Sequence, residues 1–157
     1  MSIPTPALDK LREMLPDDLK DIRLNLSSVL FGENLEPSKS LGIALTCGVF
    51  LRSDEFVTAV KEDLKNSLGD DCEPIISDAK AAGGIMAMNT VYYRFRHMIG
   101  KESYSARPAR LRMNRMTQPA TSKADFELMS LGCAALAGCE MCLKSHESSL
   151  LQLNVSE

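Results

Sequence analysis

The stretch Ser122–His146, SKADFELMSLGCAALAGCEMCLKSH, decides how the chain is read. Ser122 with Asp125 three residues later has the form of a capping box, Asp standing in for the usual Glu. A helix is expected from there through Ala137. Gly138 ends it, because glycine adopts the left-handed conformation of a helix C-terminus without steric cost. A second helix is then expected from Cys139 to about Leu153. Two helices meeting at one glycine fold back on each other, and the residues on either side of the turn become neighbours.

Working outward, the apolar spacing is helical nearly everywhere. Thr5-Pro6 reads as a cap and a first-turn proline, followed by the stripe Leu8, Leu11 and Leu15. Pro16 interrupts it, and Leu19, Ile22, Leu26, Val29 and Leu30 form the next inward stripe. Pro37 opens a helix carrying Leu41, Leu45 and Val49, and Ser53 caps one with Phe56, Val60 and Leu64 facing inward. Gly69-Asp70-Asp71 breaks the chain before a long apolar segment from Pro74 to about Ile99. Its Gly83-Gly84 pair costs about 1 kcal/mol per glycine in helix propensity, which close packing against another helix would explain. Lys101 to Pro119 reads as irregular and basic, with at most a short turn around Arg110. Period-two alternation and hairpin signals are absent. The expectation is an all-α fold, with residues 1–157 forming a single multi-helix domain.

Composition narrows the function. A hydrophobic fraction of 45% and a charged fraction of 25% are those of a globular protein. Eighteen Lys and Arg against 21 Asp and Glu leave a net charge of -3, so no nucleic-acid or anionic-membrane partner is expected. The longest uncharged run, Ala81 to Tyr93, falls short of the ~18 apolar residues of a membrane span. Met1-Ser2-Ile3-Pro4-Thr5-Pro6 lacks the pattern of a secretory signal, and a cytoplasmic location is the resulting expectation. Five cysteines in such a chain point to buried thiols, metal ligands or redox chemistry rather than a disulfide scaffold.

Three of those cysteines, Cys133, Cys139 and Cys142, cluster with His146. At ~100° per residue, Cys142 lies about 60° from Cys139 around a helix and His146 about 20° from it, so the three share a stripe. Just after Gly138 they sit where the helix dipole and free N–H groups favour a thiolate. Glu127 precedes the turn and His146 follows it, and a hairpin brings them within reach. A carboxylate, an imidazole and two thiols then form a proton relay able to activate one cysteine. Zinc is the rival, since Cys133, Cys139, Cys142 and His146 nominally supply a Cys₃His set; the helical run after Cys133 points that thiol elsewhere. Elsewhere, His97 reads as a surface histidine, Cys47 as a buried thiol and Cys72 as a loop thiol. Met86, Met88 and Met98 read as adaptable core, and Arg107, Arg110, Arg112 and Arg115 as a solvated loop.

The pattern Glu127-x₁₁-Cys139-x₂-Cys142-x₃-His146 resembles the active-site motif of the alkylhydroperoxidase D family, within the carboxymuconolactone decarboxylase-like superfamily. Asp18 to Ser28, Met86 to Arg94, Leu111 to Asn114, Ala124 to Leu128 and Cys142 to Glu147 are similar to stretches of that family as well. The resemblance implies an all-helical subunit in a homotrimer, acting as an antioxidant thiol peroxidase on organic hydroperoxides. It implies that Cys142 attacks the peroxide, that Cys139 resolves the sulfenic acid to a disulfide, and that Glu127 and His146 relay protons. It further implies no bound cofactor, dihydrolipoyl groups of 2-oxoacid dehydrogenase components as the reducing substrate, and a partner peroxiredoxin reduced in turn.

Two departures qualify it. The family usually carries a histidine directly before the second cysteine, and Met141 stands there; at about 200° from Cys139 it is expected to point away from the thiols. Related proteins also continue through at least one further helix beyond the position of Glu157. A structural zinc-binding module and a catalytically weakened oligomeric interaction protein are the alternative readings.

Overall fold

The computed structural model describes residues 3–157; Met1 and Ser2, which open the stretch read for a signal, lie outside the described residues. The elements in order are α1 (Pro6–Glu13), a 3₁₀ turn (Asp17–Leu19), α2 (Lys20–Leu30), α3 (Pro37–Leu51) and α4 (Asp54–Leu68). A second 3₁₀ turn (Gly69–Cys72) leads into α5 (Glu73–Ile99), followed by the single turns α6 (Glu102–Ser105) and α7 (Asn114–Thr117), then α8 (Lys123–Leu136) and α9 (Glu140–Gln152). Among the described residues there is no strand.

The centre is built by α3, α5 and α8 packing on one another, with α4 and α1 closing one side and α9 lying on α8 and α5. Leu41 and Leu45 of α3, Val60 and Leu64 of α4, and Phe126 of α8 are fully buried in it. Burial of each such side chain stabilises the fold by about 1.5–3 kcal/mol. The α3–α5 approach depends on Gly83. A Cβ there would stand 2.8 Å from Val49 Cγ1 and 3.3 Å from the Thr46 carbonyl oxygen. Gly84 is different: nothing lies within 4 Å of its missing Cβ, so only one glycine of the pair serves the packing.

Several expectations need correction. Thr5 and Ser53 stand at N-caps, yet neither side chain makes a cap hydrogen bond. For α1 the acceptor comes from α4, where the buried Asp63 carboxylate receives the Ala7 and Leu8 N–H groups at 2.9 Å each. Of the α2 stripe only Leu26 and Leu30 pack inward, while Leu19, Ile22 and Val29 face outward. The helix lies at the margin of the bundle and has neighbours along one narrow edge. Met88 and Met98 are exposed rather than core. Cys72 is wholly buried, because its 3₁₀ turn is packed under α4. Within 101–119 the turns flank Arg110, which itself adopts a left-handed φ of 53°.

Arg115 is not a solvated loop residue. Its guanidinium pairs with Asp78 on α5, which is completely buried, at 2.7 Å. Asp78 also accepts from the Ala120 and Thr121 N–H groups and the Thr121 hydroxyl. Burial alone would raise this carboxyl, but those hydrogen bonds outweigh it and hold Asp78 below the usual carboxylate range. Through this anchor the segment before α8 is fastened onto α5, which matters for the cavity described next.

Candidate active site

The Ser122 cap forms as the sequence implies, while the reciprocal half of the box, Asp125 to the Ser122 N–H, is replaced by a bond to the Ser122 hydroxyl. Ser122 Oγ accepts the Asp125 N–H at 3.0 Å and in turn donates to the Asp125 carboxylate at 2.6 Å. At the other end of α8, Gly138 takes φ 59° and donates to the Ala135 carbonyl, while the Cys139 N–H donates to Ala134. That pair of bonds is the Schellman arrangement, and it satisfies carbonyls that a helix end leaves without partners. Cys139 is therefore the last residue of one motif and the N-cap of the next helix, and its carbonyl accepts the first bond of α9 from Leu143. It lies just outside the helix in which it was expected, and Cys142 falls in the first turn.

Cys139 and Cys142 lie close enough for their sulfurs to bond, with their Cα atoms 5.3 Å apart. Both are buried, in an apolar cluster with Met86, Cys133 and Ala134. Folding α9 back on α8 sets Glu127 opposite His146, with Nδ1 of the ring 2.6 Å from Glu127 Oε2. Both residues are 6% exposed. A carboxylate at this depth needs a partner, and the imidazole supplies it. With Nδ1 engaged, Nε2 is the ring nitrogen left for other chemistry. The structure thus brings Glu127, Cys139, Cys142 and His146 together.

A cavity of about 290 Å³ opens onto this group, lined by Met86, Asn89 and Tyr93 from α5, Met113 and Met116 from the fastened segment, and Met141, Cys142, Ser145 and His146 from α9. Met141 is thus beside the thiol site rather than directed away from it. The angular count from Cys139 fails because that residue has non-helical backbone angles, φ −92° and ψ 89°. Of the residues around the cavity, Met86, Asn89, Tyr93 and Met113 fall inside stretches that resemble the family, the one signal that singles them out in the sequence. Ser145 falls inside the Cys142–Glu147 stretch and carries the same signal, whereas nothing local marks Met116.

The remaining thiols are in a different condition. Cys133 lies with Sγ 3.9 Å from the Thr46 carbonyl oxygen, and burial, with the nearby Cys47, pushes its pKa up to about 12. Burial also raises Cys47 and Cys72. Among the described residues no group of three or more His, Cys, Asp or Glu side chains is placed to share a metal ion, so the Cys₃His set is not assembled. His97 is on the surface, 3.6 Å from Glu140, whose carboxyl is lowered chiefly by the hydrogen bond from Lys144. Among the described residues no helix is long and apolar enough to cross a membrane.

No family model matches the chain. Individual proteins do. An alkyl hydroperoxide reductase AhpD of Anaeromyxobacter dehalogenans (strain 2CP-C) is 47% identical over 152 residues, covering 96% of this chain and 80% of that protein. Alkyl hydroperoxide reductase AhpD of Rhodopseudomonas palustris (strain BisB18) is 43% identical over 150 residues, 96% of this chain and 81% of its own length. The protein of the same name from Brucella canis is 41% identical over 150 residues, 96% of this chain and 84% of its own. Identity of this order, sustained along nearly the whole chain, makes this protein a member of the AhpD alkyl hydroperoxide reductase family.

Proposed function

We propose that the protein reduces organic hydroperoxides at Cys142 and is returned to the dithiol state by dihydrolipoyl groups. The observation that carries this reading is the buried Glu127–His146 pair, with His146 and Cys142 of the Cys139–Cys142 pair lining one largely apolar cavity. In the reduced protein, the Cys142 thiolate attacks the terminal peroxide oxygen. An S–O bond forms as the O–O bond breaks, and the departing alkoxide takes a proton from the His146 imidazolium and leaves as the alcohol. The Cys139 thiolate then attacks the Cys142 sulfenic acid, expelling hydroxide, which is protonated to water, and the disulfide results.

The position of each group supports its part. Cys139 stands at the N-cap of α9, the helix end whose dipole favours a thiolate. Glu127 holds the ring through Nδ1, which leaves Nε2 as the nitrogen through which a proton is given and taken. A dihydrolipoyl thiol reopens the disulfide through a mixed disulfide, and its second thiol displaces the protein, leaving the cyclic lipoyl disulfide. No bound cofactor takes part. The same dithiol has a partner peroxiredoxin disulfide as a further electron acceptor. The working form is a homotrimer in the cytoplasm, and the outward apolar residues of α2 together with Val91 and Phe95 of α5 supply surface for subunit contact.

The test is turnover of an alkyl hydroperoxide with dihydrolipoamide as reductant. Wild type is expected to consume one dithiol per peroxide, and Cys142→Ser to fall to background. Retained turnover in Cys142→Ser removes the assignment.

A further inference from the structure

Four of the nine methionines, Met86, Met113, Met116 and Met141, line the cavity onto which Cys142 and His146 open. They arrive from three separate parts of the fold, so their meeting is a property of the tertiary structure. A thioether is apolar and adaptable, which suits it to a bulky apolar ligand. It is also, with the thiols, a group that peroxides oxidise. The four are not equivalent. Met86 is enclosed at 1% exposure. The Met113 sulfur accepts a hydrogen bond from Asn89 Nδ2 at 3.0 Å, which engages a lone pair. Met116 is half-buried. Met141 is 41% exposed and immediately precedes Cys142.

We propose that Met141 is a self-modification site: a hydroperoxide that occupies the cavity and escapes Cys142 oxidises the Met141 thioether to the sulfoxide. The inference rests on the peroxidase reading of the cavity. The terminal peroxide oxygen is transferred to sulfur, so an S–O bond forms and the O–O bond breaks. The thioether loses two electrons, the peroxide gains them, and the hydroxyl proton passes to the departing alkoxide, which leaves as the alcohol. Nothing besides the hydroperoxide is consumed. The product is polar and chiral where the lining was apolar. It weakens the hold on apolar hydroperoxides, and excess substrate thereby slows its own turnover. Exposure alone predicts another order of damage, since Met14 and Met98 are 75% and 72% exposed. Only oxidant held in the cavity favours Met141, through its raised effective concentration.

Full-length protein turning over cumene hydroperoxide with dihydrolipoamide, followed by peptide mass mapping, separates the two orders. Met141 is expected to gain one oxygen about tenfold or more faster than Met14, an effective-concentration gain at the low end of what bound reactants show. Cys142→Ser should keep that selectivity and accumulate more sulfoxide, because the competing thiol is gone. Hydrogen peroxide, which gains little from an apolar cavity, should oxidise Met14 and Met98 first. If cumene hydroperoxide modifies Met14 and Met98 as fast as Met141, the proposal is overturned. Dithiol-driven turnover of the same samples reads the peroxidase function separately; selective Met141 oxidation without turnover would sink that function and support the proposal. The slowing is read from progress curves: the rate should decay with accumulated turnovers in wild type and less so in Met141→Leu, and equal decay rules out the effect on turnover.

Discussion

Cys133 and Cys142 stand on the two arms of one helical hairpin, in one apolar cluster, and differ in almost everything that matters for chemistry. Cys133 is in the last turn of α8, fully buried, and its thiol is pushed up to about 12. Cys142 is in the first turn of α9, paired with Cys139, beside a cavity and an imidazole held by a carboxylate. Both are cysteines in a helix with little exposure. What separates them is the helix end, with its unpaired N–H groups, and the neighbouring titratable pair. Reactivity follows from those surroundings and not from the thiol count.

The largest expected effect tests that contrast directly. At pH 7 a thiol with pKa about 12 is ionised to about 10⁻⁵, whereas one lowered to about 7 is half ionised. Brønsted compensation returns about two to two and a half orders of magnitude to the more basic thiolate, leaving on the order of a few hundredfold in favour of Cys142. Alkylation of the reduced protein followed by peptide mapping should show at least that ratio, with a Cys142 midpoint below about 8.5. Equal rates would break the comparison.

Next is the carboxylate. Glu127→Gln keeps a hydrogen-bonding partner for His146 and removes the carboxylate beside the ring. Hydroperoxide turnover should fall by about 10²-fold, the low end for a general acid–base group, with Cys133 alkylation unchanged. Unaltered turnover would mean that the pair is structural.

A smaller effect concerns the fastening of the cavity wall. Asp78→Asn should cost about 2 kcal/mol, because charge-assisted hydrogen bonds are lost from a buried site. The pH dependence has a definite sign. Asp78 is held below its ordinary value in the folded state, so its contribution is present above the unfolded carboxylate value of about 3.9 and disappears as pH falls through the folded one. Denaturation at pH 7 and pH 3 should therefore separate wild type from Asp78→Asn clearly at pH 7 and show a smaller gap at pH 3. Hydrogen exchange should rise in 101–121 and not around Cys133 on α8.

The smallest expected change comes from Met141→His. A thioether carries no proton at neutral pH and an imidazole does, so hydroperoxide turnover should increase severalfold at most, and more than disulfide exchange with dihydrolipoamide. Position 141 is 41% exposed, and water screens its influence. Equal change in both rates marks it as a packing residue.

The pairing of Glu127 with His146 was legible because both lie near a turn that a glycine defines, and a hairpin leaves little freedom in register. The Ser122 cap and the end of α8 were legible for the same reason, each being settled within a few residues. Thr5 shows where this stops. It has the right chemistry for a cap, but the acceptor for α1 is Asp63, which only the packing of α1 on α4 delivers. The α2 stripe shows another limit: Ile22 and Val29 have inward periodicity, and no element lies there to bury them.

By itself the sequence determined the all-α class, most helix boundaries, the nearness of the thiol pair and the meeting of Glu127 with His146, since helix periodicity, caps and a glycine turn act over a few residues. Only the tertiary structure decided that Met141 lines the Cys142 cavity, that Asp78 and Arg115 fasten its wall, and which apolar faces stay outward. Those outcomes depend on elements distant in sequence meeting in space, and the hydrophobic burial that drives the meeting is non-directional, so it leaves no local pattern to read.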